Sequence, residues 1–588
     1  MNVIVASLNA KYIHMNLAIR YLKAFCEADF QVEMAEYTIK DPAMNIVSDL
    51  FEKEPDVLGF SCYIWNIEET IRVIRMMKKI KPSLQIVLGG PEVSYDTAEW
   101  MEKLPEVDFI VAGEGEETFH HFLQELTTTQ KYHFVYGLAY RKQDEIIVNP
   151  GRPKLNLNDI PSPYRFASDV DELGKRVVYF ETSRGCPFSC QFCLSSIEVG
   201  VRYFDMARTK ADLLYLIESG AKLIKFVDRT FNIKRDYALE VFEFLIAHHQ
   251  GCVFQFEITA DIMRPEVLDY LAEHAPPGIF RFEIGVQSTN EATNEIIQRR
   301  QNFAKLSRTV TKIKESGKID QHLDLIAGLP EEDYASFKQT FNEVFALRPE
   351  ELQLGFLKML RGTGLRERAG DHGYVYMDQP PYEMLSNDVL PFSDIVRIKR
   401  VEDVLEKYWN AHRMDHTLIY LIEQVFPSPF DFFQEFGDYW EYRGWQRIGH
   451  QLEDLFTRLR EFLRSRDTTQ LEVIEGMMKL DYLLNHKYKP RKMWWDRSMD
   501  KSEQAEWMKR IAEHPARVSA DFVARGFNEK ELHKHAIVEQ LGFNWSAWQQ
   551  DRVIDVSTSD ILLVLYQVGG DLPTYEIIRE KRGSHTVS

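Results

Sequence analysis

The chain has 588 residues, 45% of them hydrophobic and 27% charged, and a formal net charge of −19. That length holds roughly three or four domains of about 150 residues, and the composition is that of globular protein rather than of a disordered chain. The acidic balance argues against wholesale nucleic-acid binding, six cysteines in this length make no disulfide scaffold, and no apolar run approaches the ~20 residues of a membrane span.

The opening run, Met1 to Ser7, reads as a strand rather than a signal peptide, so a cytoplasmic location is expected. Residues 1 to about 130 then alternate strand and helix. Strands are expected at Asn2–Ser7, Val57–Ser61, Ile86–Leu88 and Phe109–Val111. Helices are expected at Asn16–Cys26, Ile67–Met77 and Glu116–Leu126. This alternation predicts a parallel sheet with right-handed crossovers, in which ligands sit at the carboxyl ends of the strands. Four segments fall there. They contain Lys11 and His14, then Ser61, Tyr63 and Trp65, then Gly89, Gly90, Pro91 and Glu92, then Gly113, Glu114, Gly115 and Glu116. Their glycines permit close approach of backbone to a ligand, although Gly89-Gly90-Pro91 alone equally describes a strand-to-loop turn. Residues 131–175, punctuated by Asn149-Pro150-Gly151 and Pro161-Ser162-Pro163, read as a linker.

From 176 to about 370 the alternation resumes. Strands are expected at Val177–Thr182, Leu223–Val227, Val253–Ile258, Phe280–Val286, His322–Ile326 and Leu352–Phe356, with helices between them such as Tyr237–His248, Phe303–Ser316 and Tyr334–Phe345. Just past the first of these strands stand Cys186, Cys190 and Cys193, spaced C-x3-C-x2-C, with Phe192 before the last. A cubane 4Fe–4S cluster takes four ligands. This loop offers three, which leaves one iron open to an exogenous ligand. A structural zinc site would call for a second short Cys/His cluster, and Cys26, Cys62 and Cys252 are scattered in apolar contexts.

The cysteine loop resembles the radical S-adenosylmethionine (SAM) enzymes, whose signature is this spacing. The resemblance implies an α/β fold with a partial (β/α)6 barrel, a 4Fe–4S cluster on Cys186, Cys190 and Cys193, and SAM on the open iron. It also implies an external one-electron reductant such as flavodoxin or ferredoxin. SAM would be cleaved reductively to a 5′-deoxyadenosyl radical. Candidate SAM contacts, beside Phe192, lie at the ends of later strands. They are Asp228 and Thr230 in Val227-Asp228-Arg229-Thr230, then Glu283, Gln287 and Ser288, then Ile326, Gly328 and Glu331. The last three match the family's G-x-I-x-G-x-x-E segment, whose first glycine is replaced by Asp324. Asp228 reads equally as a helix-capping loop aspartate.

With that loop downstream, residues 1–130 resemble the Rossmann-like cobalamin-binding domain of cobalamin-dependent radical SAM enzymes. The resemblance makes the residues named above, Lys11 to Glu116, candidate cobalamin contacts. The D-x-H-x-x-G pattern of histidine-ligated corrins is absent, since Tyr12-Ile13-His14-Met15-Asn16-Leu17 has neither the aspartate nor the glycine. His14 therefore reads as near the ligand or simply as a helix-start histidine. Trp65 reads as a corrin shield or as a core residue.

Residues 375–588 read as a mostly helical domain, for example at Val401–His412, Leu418–Val425 and Ile448–Ser465, placed like a substrate-side cap. The run Asn485–Arg497 mixes five Lys/Arg with aromatics, which suits RNA or a solvated loop with partly buried tryptophans. The reaction the resemblance implies first is methylation of an unactivated carbon. Cyclisation, rearrangement or tRNA modification, with or without functional cobalamin, are the alternatives. A methylthiotransferase is disfavoured, because only Cys26 and Cys62 lie in the first domain, and a non-catalytic corrinoid module is disfavoured by the ordered SAM segments. A small molecule or peptide substrate is preferred over RNA, and no catalytic side chain is read.

Overall fold

The structure, a computed structural model, describes residues 1–143, 145–197, 200–566 and 573–578. The chain divides into two compact units, Met1–Ile395 and Val396–Ser588.

The first unit opens with a seven-stranded sheet. Its strands are β1 (Val3–Asn9), β2 (Val32–Thr38), β3 (Val57–Ser61), β4 (Gln85–Gly89), β5 (Phe109–Val111), β6 (Leu138–Lys142) and β7 (Glu145–Val148), in the order β2-β1-β3-β4-β5-β6-β7. The first five run parallel. β1 and β3 are buried along their whole length, as expected of strands covered on both faces. Ile4, Ala6 and Leu8 enter one core, and Val3 and Val5 enter the other. Helix α1 (Leu17–Cys26) follows β1 and starts where the Asn16 side chain accepts the Ile19 N–H.

The stretch 131–175 is not a plain linker. β6 pairs antiparallel to β5, with the buried Leu138, Ala139 and Tyr140 opposite Val111, Ile110 and Phe109, and β7 pairs antiparallel to β6 at the sheet edge. Further on, Leu157 and Ile160 pack against Tyr21 and Phe204.

Next comes an open sheet of six parallel strands in sequential order. They are β8 (Val177–Phe180), β9 (Leu223–Phe226), β10 (Val253–Ile258), β11 (Phe280–Gln287), β12 (Ile319–Ala327) and β13 (Glu351–Phe356). This is the expected partial barrel. Here burial alternates: Phe254, Phe256, Phe280, Phe282 and Ile284 are buried, while Gln255, Glu257 and Glu283 between them are half-exposed. After β13 the chain adds a short hairpin, Val375–Tyr376 with Met384–Ser386, so the unit runs past the expected edge near 375.

The second unit is mostly helical, as expected, with helices such as Pro429–Tyr442, Leu452–Ser465 and Leu471–Leu484. It also carries an antiparallel sheet of Ala536–Gln540, Ile561–Leu565 and Thr574–Ile578. The expected helix at 418–425 is α-helical only to Tyr420 and widens into a π turn over Leu421–Val425. In the basic run, Trp494 and Trp495 are buried, and the Trp495 indole donates to Glu539 at 3.3 Å. Lys487, Arg491, Lys492 and Arg497 remain exposed, while Lys489 is half-buried and donates to the His533 carbonyl at 2.9 Å. The run is thus the loop with buried tryptophans rather than an open stacking platform.

Candidate functional site

In the first sheet β1 lies between β2 and β3, so the crossovers diverge at the β1–β3 step. A crevice opens there beyond the carboxyl ends of the strands. It holds a cavity of ≈ 720 Å³. Of the sequence-predicted residues, His14, Ser61, Tyr63, Trp65, Gly89, Gly90, Pro91, Gly113, Glu114, Gly115 and Glu116 line it. So do Tyr179, Glu181, Arg184, Val227 and Arg229, which follow or belong to the first two strands of the half barrel. The ends of both sheets therefore face one space.

Two glycines make the cavity possible. Gly90 has φ +105°, and a Cβ there would stand 2.5 Å from the Cys62 carbonyl oxygen. Gly113 has φ +76° with no atom within 4 Å of such a Cβ, which leaves the rim open beside the backbone. Tyr63 and Trp65 stack at 4.3 Å between ring centroids, with Trp65 49% exposed, so Trp65 is not a core residue. His14 Nδ1 meets the Tyr179 hydroxyl at 2.9 Å. Burial, then the neighbouring cations Lys11, Lys225 and Arg176, lower its pKa and favour the neutral ring.

Two expected contacts lie elsewhere. Lys11 is exposed and off the cavity wall. Glu92 is buried behind it and accepts the Tyr382 hydroxyl at 2.5 Å, within the cluster that Arg361 forms with Asp96 (2.8 Å) and Glu99 (3.1 Å). Glu92 thus anchors the Gly90 turn instead of facing a ligand. Glu114 and Glu116 line the cavity, but arginines take up their carboxylates. Burial alone would raise the Glu114 pKa; Arg202, the Leu155 N–H and Arg184 outweigh it and hold the carboxylate below the usual range.

The cysteine loop begins two residues past Arg184. Cys186 and Cys190 are buried and Cys193 is half-buried. Burial raises the pKa of the Cys186 and Cys190 thiols, and nearby Cys193 adds to the rise at both. Among the described residues no three His, Cys, Asp or Glu side chains converge on a single metal ion. A cubane instead takes one thiolate per iron, so its ligands are spread around a cluster. Three thiols in one loop fit that pattern, and Cys26, Cys62 and Cys252 are buried elsewhere in the unit.

The expected SAM contacts divide into two groups. Asp228 is 1% exposed, and its carboxylate accepts the Thr182 N–H (3.1 Å) and the Thr182 and Ser183 hydroxyls (both 2.5 Å). It is committed to holding the strand end that launches the cysteine loop. Thr230 donates to the Arg229 carbonyl at 2.6 Å. The Ser288 hydroxyl donates to buried Glu332 at 2.6 Å, and the Gly328 carbonyl accepts the Tyr374 hydroxyl at 2.9 Å. Gly328 adopts φ +96°, which favours glycine, and a Cβ there would also press on the Met384 side chain at 2.8 Å. Glu331, at the acidic position of the matched segment, is exposed, and the buried acid is its neighbour Glu332.

Phe192, Glu283, Gln287 and Ile326 stay half-exposed. Glu283 pairs with Lys225 at 2.7 Å. Gln287 adopts φ +69°, unusual for a residue with a Cβ, and its buried Oε1 has no hydrogen-bond partner. Backbone strain of this kind concentrates at functional sites. Sequence reasoning missed Arg299, whose Nη1 lies 4.0 Å from Cys190 Sγ, and missed the partners of Arg184 and Arg202. No local pattern marks them.

Three families match the chain: B12 binding domain over residues 3–123, Radical SAM superfamily over 180–344, and Protein of unknown function (DUF4080) over 370–563. The cobalamin-dependent radical SAM methyltransferase TokK of Streptomyces tokunonensis is 29% identical over 352 residues, 56% of this chain and 51% of TokK. The anaerobic magnesium-protoporphyrin IX monomethyl ester cyclase of Synechocystis sp. is 24% identical over 57% of this chain and 69% of the cyclase. The chain thus spans about half the length of its methyltransferase relative. Among solved structures, the cobalamin-dependent SAM radical enzyme OxsB with aqua-cobalamin and SAM bound has a TM-score of 0.58 at 16% identity, over 82% of this chain and 79% of that one, which shows a shared fold. The chain thus carries a B12 binding domain and a radical SAM domain, whose cofactors are cobalamin and a 4Fe–4S cluster with SAM, followed by a DUF4080 domain, and in this order of domains it is similar to the cobalamin-dependent radical SAM enzymes.

Proposed function

We propose that the chain is a cobalamin-dependent radical SAM enzyme that methylates an unactivated carbon of a small molecule or peptide. One observation carries this reading. The strand-end loops of the first sheet and the first strand ends of the half barrel line the same cavity. When bound, the cofactors supply one-electron reductive cleavage of SAM and a transferable methyl group. In this reading Cys186, Cys190 and Cys193 hold the cluster. Gly90, Gly113 and the Tyr63–Trp65 stack receive the corrin. Asp228 keeps Thr182 and Ser183 in line ahead of Cys186. Gln287 and Ile326 offer contacts to SAM. His14, held at Nδ1 by the Tyr179 hydroxyl, would contact the corrin as a cavity-wall residue rather than as a cobalt ligand, because the D-x-H-x-x-G pattern of histidine-ligated corrins is absent around it. The buried Trp494 and Trp495 support a substrate other than RNA, because they are withdrawn from base stacking.

Anaerobic reconstitution tests this. About one corrin and one cluster per chain are expected, with SAM consumed to both 5′-deoxyadenosine and S-adenosylhomocysteine once a reductant such as flavodoxin or ferredoxin is supplied. Nitrogen hyperfine splitting from a histidine in the cob(II)alamin spectrum would contradict the role given to His14. Formation of 5′-deoxyadenosine without S-adenosylhomocysteine would favour a cyclisation, as in the cyclase relative. Absence of corrin uptake would remove cobalamin from the reading.

A further inference from the structure

The cysteine loop is closed at its base by a two-residue antiparallel ribbon, in which Ser183–Arg184 pairs with Arg202–Tyr203 and Arg184 stands opposite Arg202. The closure is tight. Gly185 has φ +99°, and a Cβ there would lie 2.0 Å from the Gly200 carbonyl oxygen. Two guanidinium groups are thus set side by side, one at each end of the loop that carries Cys186, Cys190 and Cys193.

Both reach the same carboxylate on the other sheet. Glu114, in the turn after β5, forms an ion pair with Arg202 and lies 3.9 Å from Arg184 Nη1. Glu116 accepts Arg184 Nη2 at 2.5 Å. Glu181, at the end of β8, accepts Arg184 Nε at 3.0 Å, and the guanidinium lies over the Tyr21 ring of α1 at 4.9 Å. The side chains of Arg184, Glu114, Glu116 and Glu181 are 13%, 18%, 6% and 13% exposed. These same four residues line the cavity, so a ligand filling it touches the network.

A buried ion network is poor evidence for stability, since apolar residues of similar size often do as well; its best-attested use is to set register between the parts it joins. We propose that Arg184 and Arg202, gripping Glu114 and Glu116, are positioning residues that lock the cluster loop to the rim of the corrin cavity, so that corrin binding and cluster assembly favour each other. This rests on the reading that the cavity takes a corrin and the loop a cluster. A network shared by two sites couples them reciprocally: whatever corrin does for the loop, the assembled loop does for corrin.

The test titrates hydroxocobalamin by absorbance into the full chain, cluster-free and reconstituted. The wild-type Kd is expected to tighten about ten-fold when the cluster is present, in the ordinary range of coupling between sites. The double variant Arg202→Met/Glu114→Gln removes both members of one ion pair and orphans no charge there. It is expected to keep near-unit stoichiometry of iron–sulfur cluster and corrin while the two Kd values fall within about two-fold of each other. Arg202→Lys is expected to restore part of the difference. Equal wild-type Kd values with and without cluster overturn the proposal, whatever the variants do. So does a ten-fold difference that survives in the double variant. Uptake of neither cofactor by the wild type would overturn the functional reading and this proposal with it, whereas independent uptake of both would overturn this proposal alone.

Discussion

The two sheets of the first unit use the same strand–helix alternation and put it to opposite ends. In the seven-stranded sheet, β1 and β3 are buried on both faces, and alternate residues feed two separate cores. A ligand can enter only beyond the strand ends, where the order turns at β1–β3. In the half barrel one face lies under helices and is packed with phenylalanines. The other carries Lys225, Gln255, Glu257, Glu283, His322 and Asp324, all half-exposed. A closed sheet thus offers a ligand its rim, and an open barrel offers its whole inner face. The cavity forms where the rim of the first meets the strand ends of the second.

Substitutions can sharpen that contrast. The largest effect is expected at a strand-end loop: Cys186→Ala should take SAM cleavage below detection, because it removes one of three thiolates, while the thermal midpoint hardly moves. 5′-Deoxyadenosine formed near the wild-type rate by this variant would sink the cluster assignment. Inside the doubly covered sheet the pattern reverses. Leu58→Ala, at a site with 0% exposure, should cost about 2–5 kcal/mol in urea unfolding of the first unit. A cost under about 1 kcal/mol would mean that the two cores are not tightly packed there.

The barrel's inner face should respond to pH. Burial opposes a charge on His322, but Asp324 and Glu351, both at 3.2 Å, overcome it and push its pKa up to about 10. A raised folded-state value means that the stabilisation is complete below the unfolded value of 6.5 and disappears as pH climbs through about 10. Wild type should therefore lose on the order of 1–3 kcal/mol relative to His322→Gln between those limits. Stability profiles that run parallel in the two proteins would refute the pairing. The smallest effect is expected from Lys225→Met, which breaks a partly exposed pair with Glu283 and should cost about 0–1 kcal/mol.

Much of this was legible in the residues because the signals are local. Cys186, Cys190 and Cys193 sit within one short loop, and Gly90 and Gly113 need positive φ, which a glycine beside a strand end announces. The six barrel strands showed as apolar runs. β6 and β7 did not, because they are short and are defined by tertiary pairing, β6 with β5 and β7 with β6. The internal partners of two candidate SAM contacts are hidden from the sequence for a similar reason. Asp228 and Ser288 look free in sequence, yet their partners Thr182 and Glu332 lie 46 and 44 residues away.

The strand–helix alternation, the three-cysteine loop, the glycine turns and the family they resemble are all legible in chain order, since each depends on residues a few positions apart. Folding then settled which acids line the cavity and which partner takes each of them. Glu92 turns back to Tyr382, Glu114 is taken by Arg202 from 88 residues away, and Glu116 is taken by Arg184. A carboxylate's role follows from the charge that folding brings beside it, because a buried ion must be paired, and the chain order of distant partners carries no trace of that pairing.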